Sequence, residues 1–292
     1  LGAWLILEGQ MSIGMLYAYI SYKRYFSDAM VQVAQKLLDK NALKGPLDRV
    51  GDLLFSPTEA SQFGKTLVTS PVHIHFDNVS FAWPGHDNLL HNITMTINAG
   101  EELTIIGQSG SGKTTLLRLI SGMLQPTGGE LNINKTPINE CDLSSLRQHV
   151  RIVHADDILF TGSILENIAC FDSNPDRERV IEACQMAEVH HVIERIQHGY
   201  DTALVPGNSF FSAGETQRLV LARALYGQPK LLLCDEVTAN LDKTTARRVL
   251  ANLRSLGIGL VFVTHSPEVI DSRGRCYVME RGRLCAMEET PS

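Results

Sequence analysis

One string of eight residues carries the clearest chemistry in this chain. Gly107-Gln108-Ser109-Gly110-Ser111-Gly112-Lys113-Thr114 satisfies G-x-x-x-x-G-K-[ST]. An apolar run, Leu103 to Ile106, precedes it. A helical pattern with Leu116, Leu117, Ile120 and Leu124 follows, which is the strand–loop–helix order the motif requires. Its glycines let backbone N–H groups turn inward onto phosphate oxygens. The helix start adds the positive end of its dipole. Lys113 would set a point charge against β and γ phosphates, and the Thr114 hydroxyl can ligate Mg²⁺. Residues 107–115, Thr115 included, form the candidate nucleotide-binding loop.

Two further strings matter once that loop is present. Leu231-Leu232-Leu233-Cys234-Asp235-Glu236 is an apolar strand ending in two carboxylates. Alone it reads as a solvated strand end. Behind a phosphate loop, Asp235 reads as the Mg²⁺-binding acid and Glu236 as a base that polarises water for attack on the γ-phosphate. Phe211-Ser212-Ala213-Gly214-Glu215-Thr216-Gln217-Arg218 leads into an amphipathic helix. Serine and glycine at a helix start can bind an anion, although in isolation the string reads as an ordinary helix cap. The six cysteines are scattered without a C-x-x-C pair, which argues against a zinc site and for buried free thiols.

These groups need elements to hold them. The chain has 292 residues, 44% hydrophobic and 20% charged, enough for about two domains of roughly 150 residues. The composition excludes a disordered tail and a disulfide miniprotein. A net charge of -6 argues against a general nucleic-acid binder. Apolar runs at 103–106, 231–234 and 260–263 suit strands buried on both faces of a parallel sheet. Alternation at 72–76 and 131–134 suits half-buried strands. Helices are expected at 114–124, 175–187, 216–226 and 244–256.

The first 55 residues differ. Leu1 to Leu7 and Met11 to Tyr22 are apolar, separated by Glu8-Gly9-Gln10. Neither run reaches the roughly 18 residues of a bilayer span. They read either as buried parts of a soluble core, or as the end of one membrane helix, a turn, and the start of the next. No basic stretch precedes them, so no signal peptide is expected, and a start at Leu1 is expected of a fragment. Gly45-Pro46 is a helix-breaking signal, and the polar stretch 56–70 reads as a linker.

The order of motifs resembles the ATP-binding cassette (ABC) transporters, over about Val72 to Met287. Ser212-Ala213-Gly214-Glu215 stands where that family has its signature, usually L-S-G-G-Q. Ala239-Asn240-Leu241-Asp242 resembles its D-loop, and Gly128-Gly129-Glu130-Leu131 its T-G-G-x-[IL] turn. His265 matches the switch histidine and Trp83 the aromatic that stacks on adenine. The resemblance implies an α/β fold: a P-loop NTPase (RecA-like) core with antiparallel β and helical subdomains, preceded by a long membrane-to-cytosol helix. It implies residues 1–55 as the end of a transmembrane domain, 56–71 as linker and 72–292 as the nucleotide-binding domain. The pattern from Trp4 to Tyr25 is similar to bacteriocin and colicin V exporters of the type I secretion group.

The resemblance also implies roles. ATP and Mg²⁺ are the expected ligands. Trp83 and residues 107–115 contact nucleotide, Thr114 and Asp235 hold Mg²⁺, and Lys113, Glu236 and His265 act on the γ-phosphate. Ser212, Gly214, Glu215 and Asp242 serve across a head-to-tail dimer with a second copy of the chain. The segment from Asp157 to about Pro206 would receive coupling helices of the membrane domain on the same polypeptide. The expected setting is the inner membrane with a cytoplasmic ATPase. An exported peptide, a periplasmic adaptor and an outer-membrane channel are the expected partners, and nucleic acid is not. The chain departs from the family at Ala155, which stands where the Q-loop glutamine belongs. Either His154 or Asp156 takes over its polar role, or hydrolysis is weakened. A lipid or drug exporter, a soluble ABC ATPase and a small-molecule P-loop kinase are the competing readings.

Overall fold

The computed structural model describes residues 2–55, 63–154, 156–205, 211–265 and 274–287. The chain divides into two compact units, Leu1–Thr58 and Glu59–Ser292.

The first unit is two helices, α1 (Gly2–Leu7) and α2 (Ile13–Phe55). They part at the polar interruption, where Gly9 takes φ 74°. Ser12 then accepts a hydrogen bond from the Met15 N–H at 3.2 Å and starts α2. The expected break at Gly45-Pro46 does not occur, for α2 runs on through Pro46 to Phe55. A proline removes one rung of the hydrogen-bond ladder, and the rungs on either side carry the helix past it. At about 1.5 Å per residue, α2 is about 65 Å long. Its apolar side chains are exposed, Ile13 by 75% and Tyr17 by 74%. The reading of this stretch as buried in a soluble core is therefore overturned. Among the described residues, no helix is long and apolar enough to cross a membrane.

The second unit begins earlier than the expected end of the linker. Thr66 N–H donates to the Glu140 carbonyl at 3.0 Å, and buried Val68 exchanges hydrogen bonds with Ser145 Oγ. From Phe63 on, the polar stretch is thus part of this unit, because its backbone finds partners there. Residues 56–62 lie outside the described part.

Strands β1 (Ile74–Ala82) and β2 (Asn88–Ile97) form an antiparallel pair, followed by β3 (Glu102–Ile106) and α3 (Lys113–Ile120). Next come β4 (Gly128–Ile133), β5 (Thr136–Pro137), α4 (Leu143–His149) and β6 (Val150–Val153). A mostly helical stretch follows: β7 (Gly162–Ser163), α5 (Ile164–Ile168), α6 (Arg177–Met186), α7 (His190–Ile193) and β8 (Ala203–Leu204). The chain continues with α8 (Ala213–Tyr226), β9 (Leu231–Asp235), α9 (Lys243–Ser255) and β10 (Gly259–Val263). The hairpin of β11 (Arg275–Glu280) and β12 (Arg283–Ala286) ends it.

Two sheets dominate. One is antiparallel, in the order β2-β1-β4-β5. The other is ordered β12-β11-β3-β10-β9-β6, with every pair parallel except the terminal hairpin. The continuous apolar runs are explained by two cores on the two faces of this sheet. Leu232 and Cys234 of β9 enter the core shared with α6, α8 and α9, while Leu231 and Leu233 enter the core shared with α3 and the antiparallel sheet. This α/β architecture with antiparallel and helical parts is the expected one. Cys141, Cys184 and Cys234 are buried free thiols, but Cys170 and Cys285 are exposed, contrary to the expectation for all six. Both lie outside the packed interior, at a turn after α5 and on the terminal strand.

Candidate functional site

The loop between β3 and α3 has the conformation its glycines permit. Gly112 takes φ 105°, and a Cβ there would lie 2.6 Å from Leu90 Cδ2. Gly112 is also the N-cap of α3 and supplies no side-chain cap, so the helix opens with backbone N–H groups toward the loop. Lys113 bends back over it. Its ammonium donates to the carbonyls of Gly107 at 2.7 Å and Gln108 at 2.8 Å, and stands 3.4 Å from His265 Nε2. Burial holds this ammonium below the usual lysine range, while Glu236 and Asp235 pull it back up.

The sheet order brings the distant motifs to this loop. β10 lies between β3 and β9, so the ends of β9 and β10 deliver Asp235, Glu236 and His265 beside Lys113. Thr114 Oγ1 donates to Asp235 Oδ2 at 2.8 Å. His265 Nε2 lies 3.3 Å from Glu236 Oε1. Together with Ser109, Gly110, Gly112, Thr115 and Leu89 these groups line one cavity of about 200 Å³. Gln108, Ser109, Gly110 and Ser111 also border a neighbouring cleft closed by Met279, Glu280 and Arg281.

Glu236 has φ 56°, a left-handed conformation that a residue with a Cβ seldom adopts. Hydrogen bonds on both sides of its peptide hold it there, one of them from the Ala239 N–H to its carbonyl at 3.0 Å. Its N–H donates to the Val263 carbonyl at 2.9 Å, and Gln217 Nε2 donates to its carbonyl at 2.7 Å. Gln217 is a residue that sequence reasoning passed over. It is buried, 4% exposed, on the side of α8 where the other buried residues are mostly Leu, Val and Ala, and a polar amide within that helical stripe is the signal that could have found it.

Other expected site residues stand apart from the cavity within this chain. Trp83 follows β1, 40% exposed and edge-on to Phe81 at 5.2 Å. Ser212 and Glu215 form a capping box at the start of α8. The Ser212 N–H and Oγ donate to Glu215 Oε2 at 2.8 and 2.9 Å, and the Glu215 N–H donates back to Ser212 Oγ at 3.3 Å. The backbone hydrogen bond from Ser212 holds the Glu215 carboxyl below the usual carboxylate range. Gly214 packs against the Asn240 carbonyl, where a Cβ would come within 2.5 Å. Asp242 caps α9, accepting from the Thr244 and Thr245 N–H groups at 3.0 Å each. Gly128 and Gly129 open β4.

The segment around position 155 has its own framework. Ala155 itself lies outside the described residues, as does Pro206 at the end of the expected coupling surface. His154 and Asp157 flank it. Asp157 Oδ2 accepts from the His154 N–H at 2.9 Å, and the His154 ring lies 3.3 Å from Asp235 Oδ2. Asp156 is exposed. Farther along, buried Asn167 ties the Phe160 backbone. Arg223 of α8 donates to the carbonyls of Ile158 and Asn167, at 3.0 Å each, and lies over the Phe160 ring.

Comparison with known proteins agrees with this geometry. The family described as ABC transporter matches residues 90–239, just over half of the chain. Leukotoxin translocation ATP-binding protein LktB from Mannheimia haemolytica is 33% identical over 287 residues, covering 97% of this chain and 40% of the relative. Its counterpart from Bibersteinia trehalosi is similar to the same extent. The chain thus spans about two fifths of the length of the curated relatives it matches. Among solved structures, a bacterial Atm1-family ABC exporter with ATP bound aligns with a TM-score of 0.76 at 30% identity, over 82% of this chain and 42% of that one.

Proposed function

The chain belongs to the ABC transporter family, and from that membership we propose that it is the ATP-hydrolysing end of an exporter for a peptide or protein. The observation that carries this reading is the single cavity in which Lys113, the Thr114–Asp235 pair and the Glu236–His265 pair meet.

In the proposed mechanism, backbone N–H groups of residues 108–115 and the Lys113 ammonium hold the phosphates. Lys113 is poised for this, since the two loop carbonyls that now accept from it yield to phosphate oxygens of full negative charge. Glu236 accepts the proton of the attacking water, and His265, between Glu236 and Lys113, steadies charge on the γ-phosphate. Trp83 offers a half-exposed indole face for the base.

A divalent cation fits the donor set. A hydroxyl and a carboxylate oxygen 2.8 Å apart are the hard oxygen ligands that Mg²⁺ takes. Among the described residues no group of three His, Cys, Asp or Glu could hold a metal ion. Bound there, Mg²⁺ would neutralise phosphate charge.

Ser212 and Gly214 are proposed to face the nucleotide of a second copy, and Asp242 to communicate across that interface. This is supported by the cavity lining, which includes none of the three. Export of a peptide or protein is supported by the likeness to LktB over nearly all of this chain. On the same reading α2 enters the bilayer beside further helices of a longer polypeptide, with the ATPase in the cytoplasm. Residues 1–55 then belong to the transmembrane domain and 72–292 to the nucleotide-binding domain.

The test is Mg-ATP hydrolysis by the chain, with Glu236→Gln and Ala155→Gln beside it. Hydrolysis that Glu236→Gln abolishes supports the reading. A chain that binds no nucleotide sinks it. A silent parent that Ala155→Gln awakens would mark a cassette weakened at position 155.

A further inference from the structure

We propose that His154 is a positioning residue of the cation site, holding the Asp235 carboxylate from the position next to Ala155. This rests on the nucleotide-binding role proposed for the cavity.

Strand register brings the two residues together. β6 pairs in parallel with β9, with Val153 opposite Cys234. His154, the residue after β6, and Asp235, the last of β9, therefore stand beside each other at the cavity end of the sheet. The hydrogen bond from the His154 N–H to Asp157 pins the backbone there. The imidazole is turned inward, and the side chains of His154 and Asp235 are each only 10% exposed.

The hydrogen-bond inventory then fixes the ring. Ionised Asp235 is an acceptor only, and its Oδ2 already accepts from Thr114 Oγ1 at 2.8 Å. His154 Nδ1, 3.3 Å from that oxygen, must carry the proton and donate. In a neutral ring Nε2 then keeps only a lone pair, and among the described residues this buried atom has no hydrogen-bond partner. A buried polar group is not usually left so without a compensating role. With Thr114 and His154 both directed at Oδ2, the Asp235 carboxylate is held from two sides. An alanine side chain at 155 has no polar atom with which to do this.

The test uses the full chain in detergent, with ADP as nucleotide and Mn²⁺ as the probe, free Mn²⁺ being read by paramagnetic resonance. Nucleotide affinity in EDTA is measured alongside. His154→Leu is expected to weaken Mn²⁺ about tenfold, the lower end of what outer-shell partners of metal ligands contribute. Nucleotide affinity in EDTA stays unchanged. His154→Asn, whose amide can donate from the place of Nδ1, is expected to keep Mn²⁺ affinity, and His154→Asp, an acceptor of the same shape, to lose it. The Asn–Asp pair decides the matter even where the Leu variant does not fold. Equal Mn²⁺ affinity in all variants would overturn the proposal. So would a parallel loss of Mn²⁺ and of metal-free nucleotide, which would mark a packing role. A parent that binds no nucleotide in EDTA fails differently, and takes the proposed function with it.

Discussion

Helices α3 and α8 begin with similar small residues but present opposite chemistry. α3 starts at Gly112, with no side chain to cap it and with Lys113 folded over the loop. α8 starts at Ser212, whose hydroxyl and N–H are both engaged by Glu215. One helix start sits in a cavity with two carboxylates, a lysine and a histidine. The other is closed on itself, and among the described residues no hydrogen bond or ion pair joins Ser212 or Glu215 to that cavity. On the proposed function, the open start receives phosphate within its own chain. The closed start has its cap satisfied internally, and on the proposed function it meets the nucleotide of a second copy. Gln217 joins the two regions, reaching from α8 to the Glu236 carbonyl and, at 3.4 Å, accepting from the Asn240 N–H.

The sharpest way to break this contrast is at the open end. Glu236→Gln is expected to lower ATP turnover by about 10²- to 10⁴-fold, the usual share of a general base, while nucleotide affinity persists. Retained turnover would move the base elsewhere. At the closed end, Gly214→Val places a Cβ within 2.5 Å of the Asn240 carbonyl. Overpacking of this kind costs about 1–3 kcal/mol, so calorimetry should show a lower Tm, and turnover should fall through the displaced Asn240 segment. Unchanged melting would mean that α8 moves freely against that segment.

Smaller effects test the cap itself. Ser212→Ala removes the capping hydroxyl and is expected to destabilise the fold by about 1 kcal/mol in denaturant titration. Glu215→Gln should be nearly silent at neutral pH, since glutamine also completes a capping box. Its mark is in pH dependence. The folded-state pKa of Glu215 lies below the ordinary 4.5. Its ionic contribution is therefore fully present above 4.5 and is lost as pH falls through the folded value. The small Tm advantage of the parent over Glu215→Gln should close on acidification below 4.5. An advantage independent of pH would show that the carboxylate charge does not bear on the cap.

Much of this was legible from local pattern. The phosphate loop, the strand ending in Asp235-Glu236 and the four main helices depend on short-range rules of glycine freedom, apolar runs and helical period, and the structure places them within a few residues of expectation. Pro46 misled, because a breaking signal is local while α2 draws on a ladder of 43 residues. The cysteines misled in part, because burial depends on where a turn lies. Exposure of α2 could not be read either, since an apolar stripe has the same pattern whatever covers it.

What the sequence by itself determined was the kind of chemistry: a lysine among glycines, a hydroxyl after it, and two acids at a strand end. Residue type and spacing of a few positions suffice for that. What only the tertiary structure decided was adjacency across long separations. The parallel order β3-β10-β9-β6 sets Lys113 beside His265, Thr114 beside Asp235 and Asp235 beside His154. No local period encodes which strand neighbours which. That choice is made by the two cores that bury both faces of the sheet, and the register they enforce brings three separate motifs to one cavity.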